Sequence, residues 1–197
     1  KEIATGGYDQ IIKVLDATNG KLLLNLPIED AKLWAIAYRP DGKILAAVGT
    51  SGKIELFDRI TGASLQSWDA GLGSLSNVAF SPDGTYAYVS NYYMTGPGFT
   101  RQGFDKCSES AKFDNGFLYR VNMSTMAVEA AVEVGEVPKY VAVSPDNKYA
   151  LVSNWCSYSI SIVDLATFQV VKTIKVGRYP RGIVVAHDSS KAYITVM

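Results

Sequence analysis

Apolar residues recur along this chain in short runs, each closed by a turn, and the runs fall into four kinds. The first is a compact stretch ahead of a turn: Asn77-Val78-Ala79-Phe80, Tyr140-Val141-Ala142-Val143 and Gly182-Ile183-Val184-Val185. Such runs predict short strands buried on both faces. The second kind follows that turn, at residues 44–48, 86–90 and 149–153. The third alternates, as in Lys53-Ile54-Glu55-Leu56-Phe57-Asp58 and Ser159-Ile160-Ser161-Ile162-Val163-Asp164. There the isoleucines and Leu56 point one way and the polar residues the other. The fourth follows a second turn, at residues 21–26, 63–68, 127–134 and 169–176. In chain order these are strands a, b, c and d of one repeating unit.

The turns keep the period. Asp41, Asp83, Asp146 and Asp188 sit in Arg39-Pro40-Asp41-Gly42, Ser81-Pro82-Asp83-Gly84, Ser144-Pro145-Asp146-Asn147 and the weaker Ala186-His187-Asp188-Ser189. The first pair is 42 residues apart, as is the last, and the middle gap is 63. A second marker starts at Asp16, Asp58, Asn122 and Asp164, with intervals of 42, 64 and 42. Its copies are Asp16-Ala17-Thr18-Asn19-Gly20, Asp58-Arg59-Ile60-Thr61-Gly62, Asn122-Met123-Ser124-Thr125 and Asp164-Leu165-Ala166-Thr167. Pro presets φ, Asp or Asn caps its own backbone, and Gly takes positive φ. A period of about 40–45 residues with four short strands per unit predicts an all-β fold, a β-propeller of four-stranded antiparallel blades. The expected division is a partial blade at 1–26, blades at 33–68, 75–134 and 138–176, and a partial blade at 181–197. The count is four a strands, five b, four c and four d. Lys1 aligns with Lys43, so the chain is expected to start inside a repeat. It reads as an arc of a larger ring of six to eight blades, with the remaining blades elsewhere and any targeting segment upstream.

Composition narrows the function classes. The chain has 197 residues, is 48% hydrophobic and 11% aromatic, and carries no formal net charge. That is a globular composition. Neutrality argues against a general nucleic-acid surface. No apolar run approaches the roughly 20 residues of a membrane span. Two cysteines are too few to scaffold a fold of this size.

Two related propeller families are resembled over the whole chain. Residues 4–16, Ala-Thr-Gly-Gly-Tyr-Asp-Gln-Ile-Ile-Lys-Val-Leu-Asp, resemble a WD repeat, with Leu15 and Phe57 where that family has Trp. Tyr88-Val89-Ser90-Asn91 and Leu151-Val152-Ser153-Asn154, with residues 159–167 and 176–185, resemble the YVTN-type, YncE-like propellers of bacterial and archaeal surface or periplasmic proteins. The resemblance implies the propeller fold and export. It says little of function, because propellers host many activities.

The period breaks once, between strands b and c of the third unit, at residues 92–116. This insertion is rich in Gly and aromatics, and long loops of this kind are frequently functional; a surface elaboration packed by its own aromatics fits the composition equally. Cys107 lies in it, and Cys156 lies in the matching loop of the next unit. Equivalent loops emerge on one face, so a Cys107–Cys156 disulfide is one reading. It would contribute about 3–4 kcal/mol in the chain-entropy model. Two free thiols in a reducing compartment are the other. Periplasmic or extracellular location goes with the first, cytoplasmic with the second.

The pattern of residues implies no catalytic site, metal site or cofactor. His187, the lone histidine, replaces proline in a turn. Thr95-Gly96-Pro97-Gly98 lacks the Lys-Ser/Thr and helix of a phosphate loop. What remains is a rim, where b–c and d–a loops surround the channel mouth. Asn91, Tyr92, Tyr93, Lys139, Asn154, Trp155, Arg178, Tyr179 and Arg181 are placed there as candidate ligand- or partner-binding residues. Lys139 and Arg181 hold equivalent positions, and a basic, aromatic-lined mouth suits anionic or sugar ligands or a protein partner. A solvated rim with no specific role is the plain alternative. The expected function is a non-enzymatic, exported binding scaffold. The alternatives are a lactonase-, quinone-dehydrogenase- or heme d1-type propeller with ligands in other blades, and a cytosolic WD-repeat hub.

Overall fold

A computed structural model describes residues 1–29, 32–91, 107 and 113–197. These hold seventeen strands, β1 to β17. The first sheet is β1 (Glu2–Gly6), β2 (Ile11–Asp16) and β3 (Leu22–Pro27). Three four-stranded sheets follow. They are β4 (Leu33–Tyr38) to β7 (Ser64–Asp69), β8 (Leu75–Phe80) to β11 (Ala127–Glu136), and β12 (Pro138–Val143) to β15 (Gln169–Lys175). A hairpin of β16 (Ile183–Val185) and β17 (Ala192–Ile194) closes the order. Every sheet is an antiparallel meander, and the a strands β4, β8, β12 and β16 lie side by side. They line a central channel of about 500 Å³.

The core lies between sheets. Leu45 and Phe57 pack on Ile12, Val14 and Leu26. Ile54 and Leu56 pack on Leu75, Val78 and Val121. Tyr88 and Leu118 pack on Val141, Val152 and Phe168. Strands b and c, such as β5 (Ile44–Gly49), β6 (Lys53–Asp58) and β9 (Tyr86–Asn91), are therefore buried on both faces. The polar side of strand c is buried too: Glu55, Ser159 and Ser161 are all inaccessible. Of the a strands, β8 has the two-sided burial expected of it, whereas β4 and β12 do not. In β4 and β12 one face opens on the channel, so most residues are only partly covered.

Both turn families are built four times. In the first, the N–H of Gly42, Gly84, Asn147 and Ser189 donates to the carbonyl three residues back, and all four take positive φ. The aspartate then accepts the N–H two residues on: Lys43, Thr85, Lys148 and Ser190. In the second, Gly20, Gly62, Met126 and Phe168 donate to the carbonyl four back, again at positive φ. His187 is an exposed residue of its turn.

These turns carry a pH dependence. Hydrogen bonds from Arg39 hold the Asp41 carboxyl down to about 2. Hydroxyls of Thr18, Ser81 and Ser144 lower Asp16, Asp83 and Asp146, and backbone N–H groups of Thr61, Thr167 and Ser190 lower Asp58, Asp164 and Asp188. A depressed carboxyl stabilises the fold above its unfolded value of about 3.9, and that contribution is lost as pH falls through the folded value. The urea midpoint is therefore expected to be flat from neutrality to about pH 4 and to fall toward pH 2. Asp83→Asn should flatten part of that fall. A midpoint unchanged down to the acid end would show that these bonds persist in the unfolded chain.

Candidate functional site

The face carrying the b–c and d–a loops is assembled by a repeated irregularity. In each complete sheet the a–b pairing slips once, between Leu33 and Ala35, between Leu75 and Asn77, and between Pro138 and Tyr140. The extra residue in each slip is Trp34, Ser76 or Lys139. A β-bulge leaves one residue outside the ladder and re-aims its side chain. Arg181 holds the same place ahead of β16. These four residues, with Asn77 and Tyr140, line a cleft of about 140 Å³ at the channel mouth.

The cleft is basic and aromatic. Lys139 Nζ lies 5.1 Å from the Trp155 ring centroid and 5.9 Å from that of Trp34, within cation–π reach of both. Trp155 packs on Tyr179 with ring centroids 5.0 Å apart and planes tilted by 35°, and Tyr179 meets Tyr158 edge-on at 5.5 Å. Serine hydroxyls tie neighbouring sheets beneath: Ser76 Oγ donates to the Pro138 carbonyl (2.8 Å) and Ser153 Oγ to that of Arg181 (2.8 Å). Val141 N–H donates to Asn77 Oδ1 (3.1 Å).

Cys107 and Cys156 form a disulfide, with Cα atoms 5.2 Å apart. It joins a small cluster of Val137, Trp155, Phe113 and Tyr179. The b–c loop holding Cys156 is clamped to the d–a crossing, since Trp155 N–H donates to Val137 O (3.0 Å) and Glu136 N–H to Ser157 Oγ (2.7 Å). Val137 and Tyr179, 42 residues apart, both take positive φ (52° and 51°). For a β-branched residue such as Val137 that conformation is an outlier, and backbone strain of this kind gathers at ligand sites.

The rim residues expected from the sequence separate into groups. Lys139 and Arg181 line the cleft, and Tyr179 flanks it. Arg178 is exposed and does not line the cleft. Trp155 is not an open ligand surface: it is 8% exposed and forms the floor under Lys139. Asn91 and Asn154 are not on the rim either, since both are fully buried at the ends of b strands. Asn154 Oδ1 accepts Gly135 N–H (3.0 Å), and its Nδ2 donates to Ser159 (3.2 Å) and Ser161 (2.9 Å). Asn91 Oδ1 accepts Phe117 N–H (3.1 Å). Their polarity serves the sheet. Tyr92 and Tyr93 lie outside the described residues, as does most of the insertion. The expected insertion limit of 116 is too long, because β10 (Asn115–Asn122) already pairs at Asn115. Trp34, Ser76, Asn77 and Tyr140 were missed as site residues. Trp34 and Ser76 stand at the repeat position of Lys139 and Arg181, so extending the same alignment backward finds them.

Among the described residues, no group of three or more His, Cys, Asp or Glu is placed to hold a metal ion. No helix among them is long and apolar enough to cross a membrane.

The architecture is that of a β-propeller, with about four blades' worth of strands. No known family profile matches the chain. It is 29% identical over 127 residues to Antigen Lp49 of Leptospira interrogans serogroup Icterohaemorrhagiae serovar copenhageni (strain Fiocruz L1-130), covering 64% of this chain and 26% of that protein. It is 35% identical over 81 residues to Small ribosomal subunit protein RACK1y of Oryza sativa subsp. japonica, covering 41% of this chain and 24% of that protein. The chain thus spans about a quarter of the length of these curated relatives. Among solved structures, Kuenenia stuttgartiensis Hydrazine Synthase aligns with TM-score 0.75 and 20% identity, over 94% of this chain and 49% of that one. At that identity the likeness concerns the fold alone.

Proposed function

We propose that this chain is a non-enzymatic binding scaffold of the YVTN, YncE-like kind, exported from the cytoplasm, that receives its ligand or partner on the channel-mouth rim. The observation that carries this reading is that Lys139 and Arg181 line one cleft, with Trp155 beneath Lys139 and Tyr179 packed on Trp155. The Cys107–Cys156 bridge holds Cys107 against Trp155 and Tyr179. A bridged pair fits an oxidising compartment, and the likeness to Antigen Lp49 accords with export. The likeness to RACK1y supports the cytosolic hub reading, which a bridged cysteine pair disfavours. Exposed apolar side chains on the outermost sheets, Ile3, Leu22 and Leu23 at one end and Val184 and Tyr193 at the other, suit coverage by further blades.

Site-specific photo-crosslinking tests the rim. A photoreactive residue in place of Tyr179 should yield discrete cross-linked products in the source organism's exported fraction. One in place of Ile60, at 71% exposure on the opposite turn face, should not. Equal products from both positions, or from Ile60 alone, would overturn the rim assignment.

A further inference from the structure

The cleft between the bulged residues has a composition that selects its ligand. Among the described residues that line it there is no carboxylate: Lys139 and Arg181 supply positive charge, Asn77 an amide, Tyr140 a phenol, and Trp34 an aromatic wall. Because Asn77 Oδ1 is engaged by Val141 N–H, the amide has its NH2 to offer. The polar lining is thus rich in donors and cations. Its volume of about 140 Å³ has room for about five water molecules, which limits an occupant to a small molecule or the end of a larger one. Arg presents a planar fork that matches a carboxylate through two parallel hydrogen bonds, whereas Lys acts as a point charge. The two Trp rings confine the Lys139 ammonium, so its charge is held in place before a ligand arrives.

We propose that this cleft binds the carboxylate group of a small organic acid, with Arg181 forking the two oxygens and Lys139 fixed by Trp34 and Trp155 as the second cation. This deepens the rim reading and rests on it. A free dicarboxylate and an acidic sugar present the same group.

Indole N–H resonances provide the test, because the chain has three tryptophans. Trp34 and Trp155 flank Lys139, while Trp68 sits on β7 against a different core cluster. Succinate is titrated at physiological salt, with succinamide, glucuronate and inorganic phosphate as parallel arms. The expected result is saturable movement of the Trp34 and Trp155 signals at millimolar succinate, none at Trp68, and none with succinamide. Saturation by succinate alone identifies a free dicarboxylate, and tighter saturation by glucuronate identifies an acidic sugar. Arg181→Gln and Lys139→Gln should each weaken binding about ten- to a hundredfold, as loss of a charge-assisted bond implies. An unchanged Trp68 signal reports that each variant is folded, and Arg181→Lys, which keeps charge but loses the fork, should fall between. Phosphate binding as tightly as either carboxylate would overturn the carboxylate assignment. No saturable movement, or movement that survives Arg181→Gln, would overturn the site. Neither result touches the cross-linking outcome at Tyr179.

Discussion

Replacing Cys107 and Cys156 together by serine is expected to lower the free energy of unfolding by about 3–4 kcal/mol. The bridge spans 49 residues of sequence. In the chain-entropy account, cross-linking acts chiefly by denying the unfolded chain the configurations in which those ends are far apart. A second contribution is local. Both half-cystines pack with Val137, Trp155, Phe113 and Tyr179, and this cluster lies apart from the three larger inter-sheet cores. Losing the bridge should therefore loosen the rim more than the sheets. Urea unfolding of oxidised wild type and double variant measures the global effect, and quenching of Trp155 fluorescence by acrylamide measures the local one. A loss under about 1 kcal/mol would show that the unfolded chain already keeps these ends together.

Asn154→Leu is expected to cost about 3–5 kcal/mol although leucine has the same number and branching of side-chain heavy atoms as asparagine and the site is closed to water. The amide is fully buried and holds three partners, Gly135 N–H and the hydroxyls of Ser159 and Ser161. Leucine leaves all three in a dry interior, and each orphaned group costs about 1–3 kcal/mol. The space does not yield: a Cβ added at Gly135 would stand 2.6 Å from Asn154 Cγ, so strand d already touches the amide. Asn91 occupies the corresponding place one sheet earlier and accepts from Phe117 N–H. Asn91→Leu is therefore expected to cost visibly less. Urea midpoints for the two variants compare them directly. Equal losses, or a loss under about 1 kcal/mol at Asn154, would mean that water or a shift of strand d replaces these bonds.

Much of the fold was legible because the turns spell it out. The bounds of β6 and β14 (Ser159–Asp164) coincide with the alternating runs, and the seventeen strands match the expected set of a, b, c and d copies. The ends of strands a and b were not legible. β8 begins at Leu75 and β12 at Pro138, where the blades were expected to begin, but ahead of the apolar runs at 77–80 and 140–143, because Ser76 and Lys139 interrupt the hydrophobic pattern. β9 ends at Asn91 and β13 (Tyr149–Asn154) at Asn154 for the same reason. Hydrophobic pattern finds strands by what they hide from water. It is blind to an asparagine that is buried because it satisfies a backbone N–H, and to a lysine that a bulge turns out of the ladder. The candidate site was half visible on that account. Lys139 and Arg181 were found by their shared repeat position, while Asn91 and Asn154 were placed on the rim because the b strands were ended one residue too early, which put both asparagines in the b–c loops. Trp34 escaped because an aromatic residue in the WD-like half did not look like the counterpart of a lysine.

The slipped residue at the head of an a strand stands outside the a–b register, and its surroundings differ from blade to blade: Ser76 ties two sheets together, while Lys139 lies over Trp34 and Trp155. Successive units already fill the place with Trp, Ser, Lys and Arg, while the turns around it stay nearly constant. The cleft thus resembles a row of tumblers in a lock, one per blade, some cut to hold the barrel together and others open to change. Exchanging the exposed Arg181 should retune what the cleft accepts while leaving the unfolding curve almost where it was, whereas Ser76→Ala should shift that curve.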